Sequence, residues 1–587
     1  MKLLLSGNEA IARGAWEASC HVAAAYPGTP STEILENIAF YKEIKAEWAP
    51  NEKVAFEAML GAAIGGARAL VAMKHVGLNV AADPLMTSAY VGVNGGLVIV
   101  SADDPGMHSS QNEQDNRIFA KFAKIPLLEP SDSQEAYEFV KLAFEISEKY
   151  DTLVIVRSTT RISHAKGIVD VGERVELPVK EYVKDPQKYT MIPAFARKRH
   201  EVLEKRLIEL KKLSNSIEIN RIELGDTQIG IVTSGISYQY AREVFPDATI
   251  LKLGMPFPLP DELFKKFASM VDKIYVVEEL EPFLEEYIKI LGYNVIGKDK
   301  IPITGELNPQ IVRKALTGES LEKIPVQKAV KRPPAFCPGC PHLGIFFELK
   351  KKRINVMGDI GCYTLAVLPP LESIDTTVDM GFSVSSVHGF NLARGEKSAK
   401  KSVAVIGDST FIHSGITGLI DIVYNKGFST VIILDNHTTA MTGHQPHPAT
   451  GRTVKGEPTK KIDFVELAKA IGVEDIHVVD PHDLKAVRKT LRAALNYPGP
   501  SVIITDRPCV LLPDGWKKLQ ENPKKVVDPE KCQGDICGNC FRLGCPAIVW
   551  KDGKAFIDPL LCVGCDLCIQ TCPFDAIHPE DENEKGI

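Results

Sequence analysis

At 587 residues the chain is too long for one hydrophobic core and requires roughly three to five domains. Hydrophobic content of 44 % and charged content of 25 % are ordinary for a globular protein, and a net charge of −6 with a pI near 6.2 offers no basic face to nucleic acid or an anionic membrane. No apolar run is long enough to span a bilayer and residues 1–7 are too short for a signal peptide, so the expected compartment is the cytoplasm.

Residues 1–178 alternate helical and strand patterns, as expected of a doubly wound α/β domain. Residues 8–19 read as a helix, 21–26 as a strand, and 27–33 (PGTPSTE) as a turn in which Ser31 or Thr32 caps the next helix. Residues 51–70 (NEKVAFEAMLGAAIGGARAL) read as one long helix in which Gly61, Gly65 and Gly66 admit a neighbouring backbone. Strands at 97–102 and 153–157 continue the sheet. A linker at 179–226 carries a charged helix, 197–213 (RKRHEVLEKRLIELKKL), read as a solvated face with nothing that argues for RNA binding. A smaller α/β domain at 227–326 follows, then a third α/β domain at 327–525 that opens on a basic, proline-bearing linker, 327–334. Residues 526–578 form a cysteine module, and 579–587 an acidic tail without structure.

The densest chemistry lies at 403–445. Residues 403–406 (VAVI) are a short apolar strand that stops at Gly407, Asp408 and Ser409; a helical pattern leads to a second strand, 431–434, ending in Asp435 and Asn436. Such a βαβ unit releases Asp408 and Asn436 at the same sheet edge. A carboxylate, an amide oxygen and the Thr438 carbonyl suit Mg²⁺, which takes hard oxygen ligands and completes its shell with phosphate. The spacing Gly-Asp-Ser, 26 residues, Asn resembles the thiamine diphosphate (TPP) signature, with serine where glycine is usual. The alternative is a Rossmann-like switch point binding another ligand or none.

The 13 cysteines are uneven: Cys20 stands alone, Cys337, Cys340, Cys362 and Cys509 are scattered, and eight lie between Cys532 and Cys572. That distribution fits metal clusters in a reducing compartment rather than a disulfide scaffold. Cys562-x2-Cys565-x2-Cys568-x3-Cys572-Pro573 is the bacterial ferredoxin run, and Cys532-x4-Cys537-x2-Cys540-x4-Cys545-Pro546 a looser version of it. By the crossing rule of two-cluster ferredoxins, Cys532, Cys537 and Cys540 share a [4Fe–4S] cluster with Cys572, and Cys562, Cys565 and Cys568 share one with Cys545. Residues 548–558 between them (IVWKDGKAFID) read as a hairpin. Zinc is the alternative for either run. The scattered set reads equally as a third [4Fe–4S] cluster, a zinc site or isolated buried thiols.

Taken together, YPGTPST (26–32), residues 51–70, KHVGLNVAADP (74–84), FCPGCPH (336–342), GDIGCYTL (358–365), GDSTFIHSGI (407–416), DNHTTAMTGHQ (435–445) and the double ferredoxin run make the chain resemble, nearly end to end, the large subunits of the 2-oxoacid:ferredoxin oxidoreductase family that act on aryl pyruvates. The resemblance implies a pyrimidine-binding first domain, a transketolase C-terminal-like small domain, a diphosphate-binding third domain and a two-cluster ferredoxin-like domain. It implies TPP held with Mg²⁺ by Gly407, Asp408, Ser409, Asn436, Thr438 and Gly381. In that pattern Glu52 hydrogen-bonds the aminopyrimidine ring and Thr29 meets the substrate; without it, Glu52 is a first-turn helix glutamate and Thr29 a turn residue. Related pyruvate enzymes place an arginine at a strand end that here reads Ser101-Ala102-Asp103-Asp104, which leaves the carboxylate anchor unassigned. The resemblance also favours a third cluster on Cys337, Cys340, Cys362 and Cys509.

The expected activity is oxidative decarboxylation of aryl pyruvates such as indolepyruvate or phenylpyruvate to aryl-acetyl-coenzyme A, with electrons passed through [4Fe–4S] clusters to ferredoxin and a small second subunit as partner. The alternatives are the same chemistry on another 2-oxoacid, a non-oxidative TPP decarboxylase or carboligase, and an electron-transfer subunit with no TPP chemistry of its own. No dinucleotide fingerprint argues for a nicotinamide or flavin.

Overall fold

Runs such as LVIVSAD (Leu97–Asp103) and LVIVRST (Leu153–Thr159) are buried at every position. Strands covered on both faces belong inside parallel sheets flanked by helices. The computed structural model describes residues 1–320, 333–520 and 522–580 and divides into two units, Met1–Gln327 and Lys328–Ile587.

In the first unit, β1 (Lys2–Ser6), β2 (Val22–Ala25), β3 (Lys45–Trp48), β4 (Ala69–Lys74), β5 (Leu97–Asp103), β6 (Leu127–Leu128), β7 (Leu153–Thr159) and β8 (Lys166–Asp170) form two sheets. One is parallel and six-stranded, in the order β3-β2-β4-β5-β7-β6; the other pairs β1 with β8 antiparallel. A second α/β layer follows from β9 (Asn220–Glu223), β10 (Asp226–Ser234), β11 (Ala248–Leu253) and β12 (Lys273–Val277), ordered β12-β10-β11-β9, with only β9 antiparallel.

Three local expectations are corrected. Residues 51–70 are not one helix: Glu52–Ile64 is helical, Gly65 caps it, and Ala69 already belongs to β4. Gly66 has φ +100, and a Cβ there would collide with the Lys180 carbonyl oxygen, whereas Gly61 meets nothing within 4 Å. Neither Ser31 nor Thr32 caps helix Thr32–Ile38 in the usual way. Ser31 Oγ donates back to the Gly28 carbonyl at 2.8 Å and Thr32 Oγ1 accepts from the Gly28 N–H at 2.9 Å, so both lock the turn instead. The charged helix, Pro193–Ser216, is not solvated all round: Leu203, Arg206 and Leu210 are buried. Arg206 Nη1 donates to the Ala89 carbonyl at 2.8 Å and Arg199 to those of Tyr90 and Val91 at 2.7 and 3.0 Å, satisfying the open end of helix Ala82–Val91.

Backbone and charge together join the two α/β layers of this unit. Leu127 and Glu129 donate their N–H groups to Phe257 and Gly254 at 3.0 and 2.8 Å. Beside them Arg117, 1 % exposed, bonds Asp115 at 2.9 Å and Glu278 at 2.8 Å; Arg157, 2 % exposed, bonds Asp103 at 2.7 Å and also Glu129, which accepts from Ser234 Oγ at 2.6 Å.

In the second unit, β13 (Asn355–Met357), β14 (Ser402–Gly407), β15 (Thr430–Asp435), β16 (Asp475–Val479) and β17 (Ser501–Asp506) form a parallel sheet of order β13-β14-β15-β17-β16. The cysteine module adds β18 (Lys525–Val527), β19 (Ile548–Lys551), β20 (Lys554–Ile557) and β21 (Ile577–Pro579), paired β18-β21 and β19-β20, both antiparallel. Asp552 and Gly553, φ 50 and 75, make the β19-β20 hairpin turn. Leu343, Phe346, Ile432, Leu484 and Ile503 of the sheet domain share one core with Leu543, Ala547, Ile557, Leu567 and Ile577 of the module. Gln570 reinforces the join, donating to the His482 carbonyl at 2.7 Å and accepting from the Leu484 N–H at 3.0 Å. Most of the linker at 327–334 and the end of the acidic tail, residues 327–332 and 581–587, lie outside the described residues.

Arg117→Ala leaves Asp115 and Glu278 buried without their shared counter-charge. A loss of about 3–5 kcal/mol is expected, read as a lower denaturant midpoint of the first unit; an unchanged midpoint would reject the network as its fastening.

Candidate functional site

β14 and β15 lie side by side, Gly407 opposite Leu434, so both release the chain at one sheet edge. Asp408, Asn436 and Thr438 stand there, all buried. Asp408 Oδ1 accepts from the Ser409 N–H at 2.8 Å. Its other oxygen lies 3.2 Å from His447 Nε2 and 3.2 Å from the Asn436 side-chain oxygen, which is itself 2.8 Å from the Thr438 carbonyl oxygen. In this orientation the Asn436 amide oxygen faces two oxygens that carry no proton. They repel unless a cation joins them or the amide turns over to present its NH₂. Hard oxygens in that grouping are a donor set that fits Mg²⁺.

Electrostatics at this edge are tight. Burial and the neighbouring Asp408 carboxylate push Asp435 up to about 7. Burial works against the Asp408 charge as well, but His447 and the Ser409 N–H hold its carboxyl below the ordinary value. Gly381, expected against the cofactor, donates its N–H to Asp359 Oδ1 at 2.9 Å, and Ser383 donates to Oδ2 at 3.0 Å. Gly381 has φ +95, and an added Cβ would stand 2.6 Å from Ser414 Cβ, so only glycine fits. Sequence reasoning passed over Asp359, Tyr363 and His447. Tyr363 Oη accepts from the Gly407 N–H at 3.0 Å and donates to the Ile360 carbonyl at 2.9 Å, fixing the turn before Asp408. Asp359 and Tyr363 lie inside the GDIGCYTL run, so that motif was their signal; His447 stands two residues beyond the DNHTTAMTGHQ run.

In the first unit, Glu52 opens helix Glu52–Ile64 and is buried; Asn51 caps the helix by accepting from the Val54 N–H at 2.9 Å. Gly77 leaves room for it, since a Cβ there would lie 2.6 Å from Glu52 Oε1. Thr29 is half-buried in the turn that follows β2, its carbonyl accepting from Ser109 Oγ at 3.2 Å. Asp104 accepts from the Ser109 N–H at 2.8 Å and from Ser110 and Thr160 hydroxyls at 2.7 Å each.

The thiols are all free and fall into groups. Cys532, Cys537, Cys540 and Cys572 line one cavity; Cys545, Cys562, Cys565 and Cys568 line a second. Cys340 is pushed well above the ordinary thiol value by burial, with Cys337, Cys509 and Cys362 adding to the effect, so those four thiols are neighbours. Cys509 also donates its backbone N–H to the Asn436 carbonyl at 2.9 Å. Gly339, between Cys337 and Cys340, has φ +71; a Cβ on it would lie 2.5 Å from Val563 Cγ2 and 3.6 Å from Cys565 Cβ. That loop presses directly on the second ferredoxin run.

Three family models match parts of the chain: residues 13–205 that of "pyruvate flavodoxin/ferredoxin oxidoreductase, thiamine diP-bdg", 359–505 that of the "thiamine pyrophosphate enzyme, C-terminal TPP binding domain", and 555–578 that of the "4Fe-4S binding domain". Indolepyruvate oxidoreductase subunit IorA of Pyrococcus horikoshii is 44 % identical over 99 % of this chain and 98 % of its own. The protein of that name from Archaeoglobus fulgidus is 42 % identical over the same shares. The chain belongs to the indolepyruvate oxidoreductase IorA family. As an IorA-family member it is an oxidoreductase of the 2-oxoacid:ferredoxin type, built with TPP-binding and iron–sulfur domains. A 2-oxoglutarate synthase subunit KorA from Methanothermobacter marburgensis is 25 % identical over 47 % of this chain and 87 % of its own. Among the described residues no helix is long and apolar enough to cross a membrane.

Asp408→Ala removes one of the three facing oxygens. Calorimetry of the variant should show Mg²⁺-dependent TPP binding abolished while iron content stays at the wild-type level; wild-type TPP affinity would refute the metal assignment.

Proposed function

We propose that this chain, together with a small second subunit, oxidatively decarboxylates aryl pyruvates of the indolepyruvate and phenylpyruvate type, delivering the acyl group to coenzyme A and two electrons, one at a time, to ferredoxin. TPP, when bound, supplies the carbon nucleophile and electron sink for decarboxylation, and [4Fe–4S] clusters supply one-electron carriers of low potential. Asp408, Asn436 and the Thr438 carbonyl would hold Mg²⁺ against the diphosphate, with Gly407 and Ser409 shaping the turn and Asp359, through Gly381, setting the neighbouring helix. Glu52 would hold a proton at its carboxyl for the aminopyrimidine ring, and Thr29 would meet the substrate.

The observation that carries the reading is the bond from the Cys509 N–H to the Asn436 carbonyl at 2.9 Å. It ties a thiol of the scattered set to a residue of the Mg²⁺ edge. In turn, the Gly339 contact with Val563 and Cys565 ties that set to the second ferredoxin cavity. A [4Fe–4S] cluster on Cys337, Cys340, Cys362 and Cys509 would thus stand first in an electron route. The cluster on Cys545, Cys562, Cys565 and Cys568 would come second, and the one on Cys532, Cys537, Cys540 and Cys572 last. The indolepyruvate named for the IorA relatives supports the aryl substrate class.

Purified anaerobically with its small subunit, the enzyme should reduce ferredoxin in a coenzyme A-dependent reaction fastest with phenylpyruvate or indolepyruvate. A higher kcat/KM with pyruvate or 2-oxoglutarate would transfer the reading to that substrate. Chemical analysis should find about twelve irons and as many acid-labile sulfides per chain; about eight would remove the first cluster from the route.

A further inference from the structure

We propose that Lys74 is the cation that receives the carboxylate of the 2-oxoacid substrate. This rests on the reading of Glu52 and Thr29 given above. Lys74 is the last residue of β4, in the middle of the first sheet, where parallel strands end and ligands of open α/β sheets bind. Its stem packs on the Gly28 backbone, where an added Cβ would meet Lys74 Cδ at 3.1 Å and Cγ at 3.2 Å. Gly28 directly precedes Thr29. Lys74 Nζ donates to the Ser109 carbonyl at 3.0 Å, and the hydroxyl of the same serine bonds the Thr29 carbonyl at 3.2 Å. The ammonium therefore stands on the loop that frames Thr29.

What sets Lys74 apart is its missing counter-ion. Several other basic groups of this unit have carboxylates: Arg117 has Asp115 and Glu278, Arg157 has Asp103 and Glu129, Arg161 has Glu306 at 2.8 Å, and His164 faces Glu33 at 3.7 Å. Asp104 and Glu52 are the acidic groups that influence Lys74, but neither lies within ion-pair distance. The Asp104 oxygens are instead occupied by the Ser109 N–H and the Ser110 and Thr160 hydroxyls. A half-buried ammonium with one carbonyl acceptor keeps two donors for a ligand. Burial pushes its pKa down to about 8, which an incoming carboxylate would reverse. A lysine here also accounts for a strand end at Ser101–Asp104 that carries no arginine.

Because the carboxylate departs as neutral CO₂, an ion pair to it stabilises bound substrate more than the transition state. Removing it should therefore raise KM and leave kcat within a few-fold. Lys74→Met in the holoenzyme is expected to raise the KM for phenylpyruvate on the order of 10- to 100-fold, with Lys74→Arg recovering most of the loss. Phenyllactate should inhibit the wild type far better than its methyl ester, and Lys74→Met should inhibit equally poorly with both. An unchanged KM, or a preference for the acid retained in Lys74→Met, overturns the proposal. If the methionine variant does not fold, the wild type decides: phenyllactate, and not its ester, should protect Lys74 from acylation followed by mass spectrometry, and equal labelling overturns it. Failure of the parent reading looks different, since the wild type would then bind no TPP and turn over no 2-oxoacid.

Discussion

The Asn436 side-chain amide lies 3.2 Å from an Asp408 carboxylate oxygen and 2.8 Å from the Thr438 carbonyl oxygen, where two adjacent parallel strands end. With its NH₂ turned inward the amide hydrogen-bonds both oxygens; with its oxygen turned inward the three make a hard-oxygen set that would suit a divalent cation. Much of the surrounding structure serves to keep it in place. Tyr363 clamps the backbone of Gly407, and Asp359 anchors the first turn of helix Phe382–Arg394.

That edge is coupled by covalent neighbours to the cysteines. Asn436 contributes its side chain to the oxygen cluster and its carbonyl to Cys509, so displacement of one would be felt by the other. Gly339 has the same role one step further along, as the point where only a missing Cβ lets the Cys337–Cys340 loop touch the second ferredoxin run. The cysteine module shares a hydrophobic core with the sheet domain instead of hanging from a linker. Carriers embedded in one core keep fixed separations, which a tethered module would average over many.

The first unit makes a parallel use of charge. Arg117 and Arg157 are wholly buried, and their carboxylate partners come from both α/β layers, so the network acts as a fastening between them. Burying so many ions gives little net stability, yet breaking one pair is costly, which makes the arrangement specific. Lys74 stands at the edge of this region with its obvious acidic neighbour already satisfied by neutral donors. Among the described residues Lys74 forms no ion pair, which leaves its ammonium for a counter-charge supplied by a ligand.

The sequence by itself determined whatever depends on neighbours along the chain. The strand that stops at Asp408 and the helix after it, the second strand ending in Asn436, the thiol spacings of both ferredoxin runs and the Asp552-Gly553 hairpin could all be read from order alone, because each is fixed by local backbone geometry and short spacing. Residues 51–70 misled because a run of small residues suits helix and buried strand alike, and only the close approach of Lys180 to Gly66 shows where the helix must end. The charged helix misled because its arginines hide a buried stripe, which is recognisable only once the carbonyls of Ala89, Tyr90 and Val91 are seen to need donors. His447 beside Asp408, Cys509 on Asn436 and the unmatched ammonium of Lys74 were decided by tertiary structure alone. Each depends on which groups from distant parts of the chain arrive within a few ångströms, and on which of their hydrogen bonds are already taken, and no spacing along the sequence encodes that.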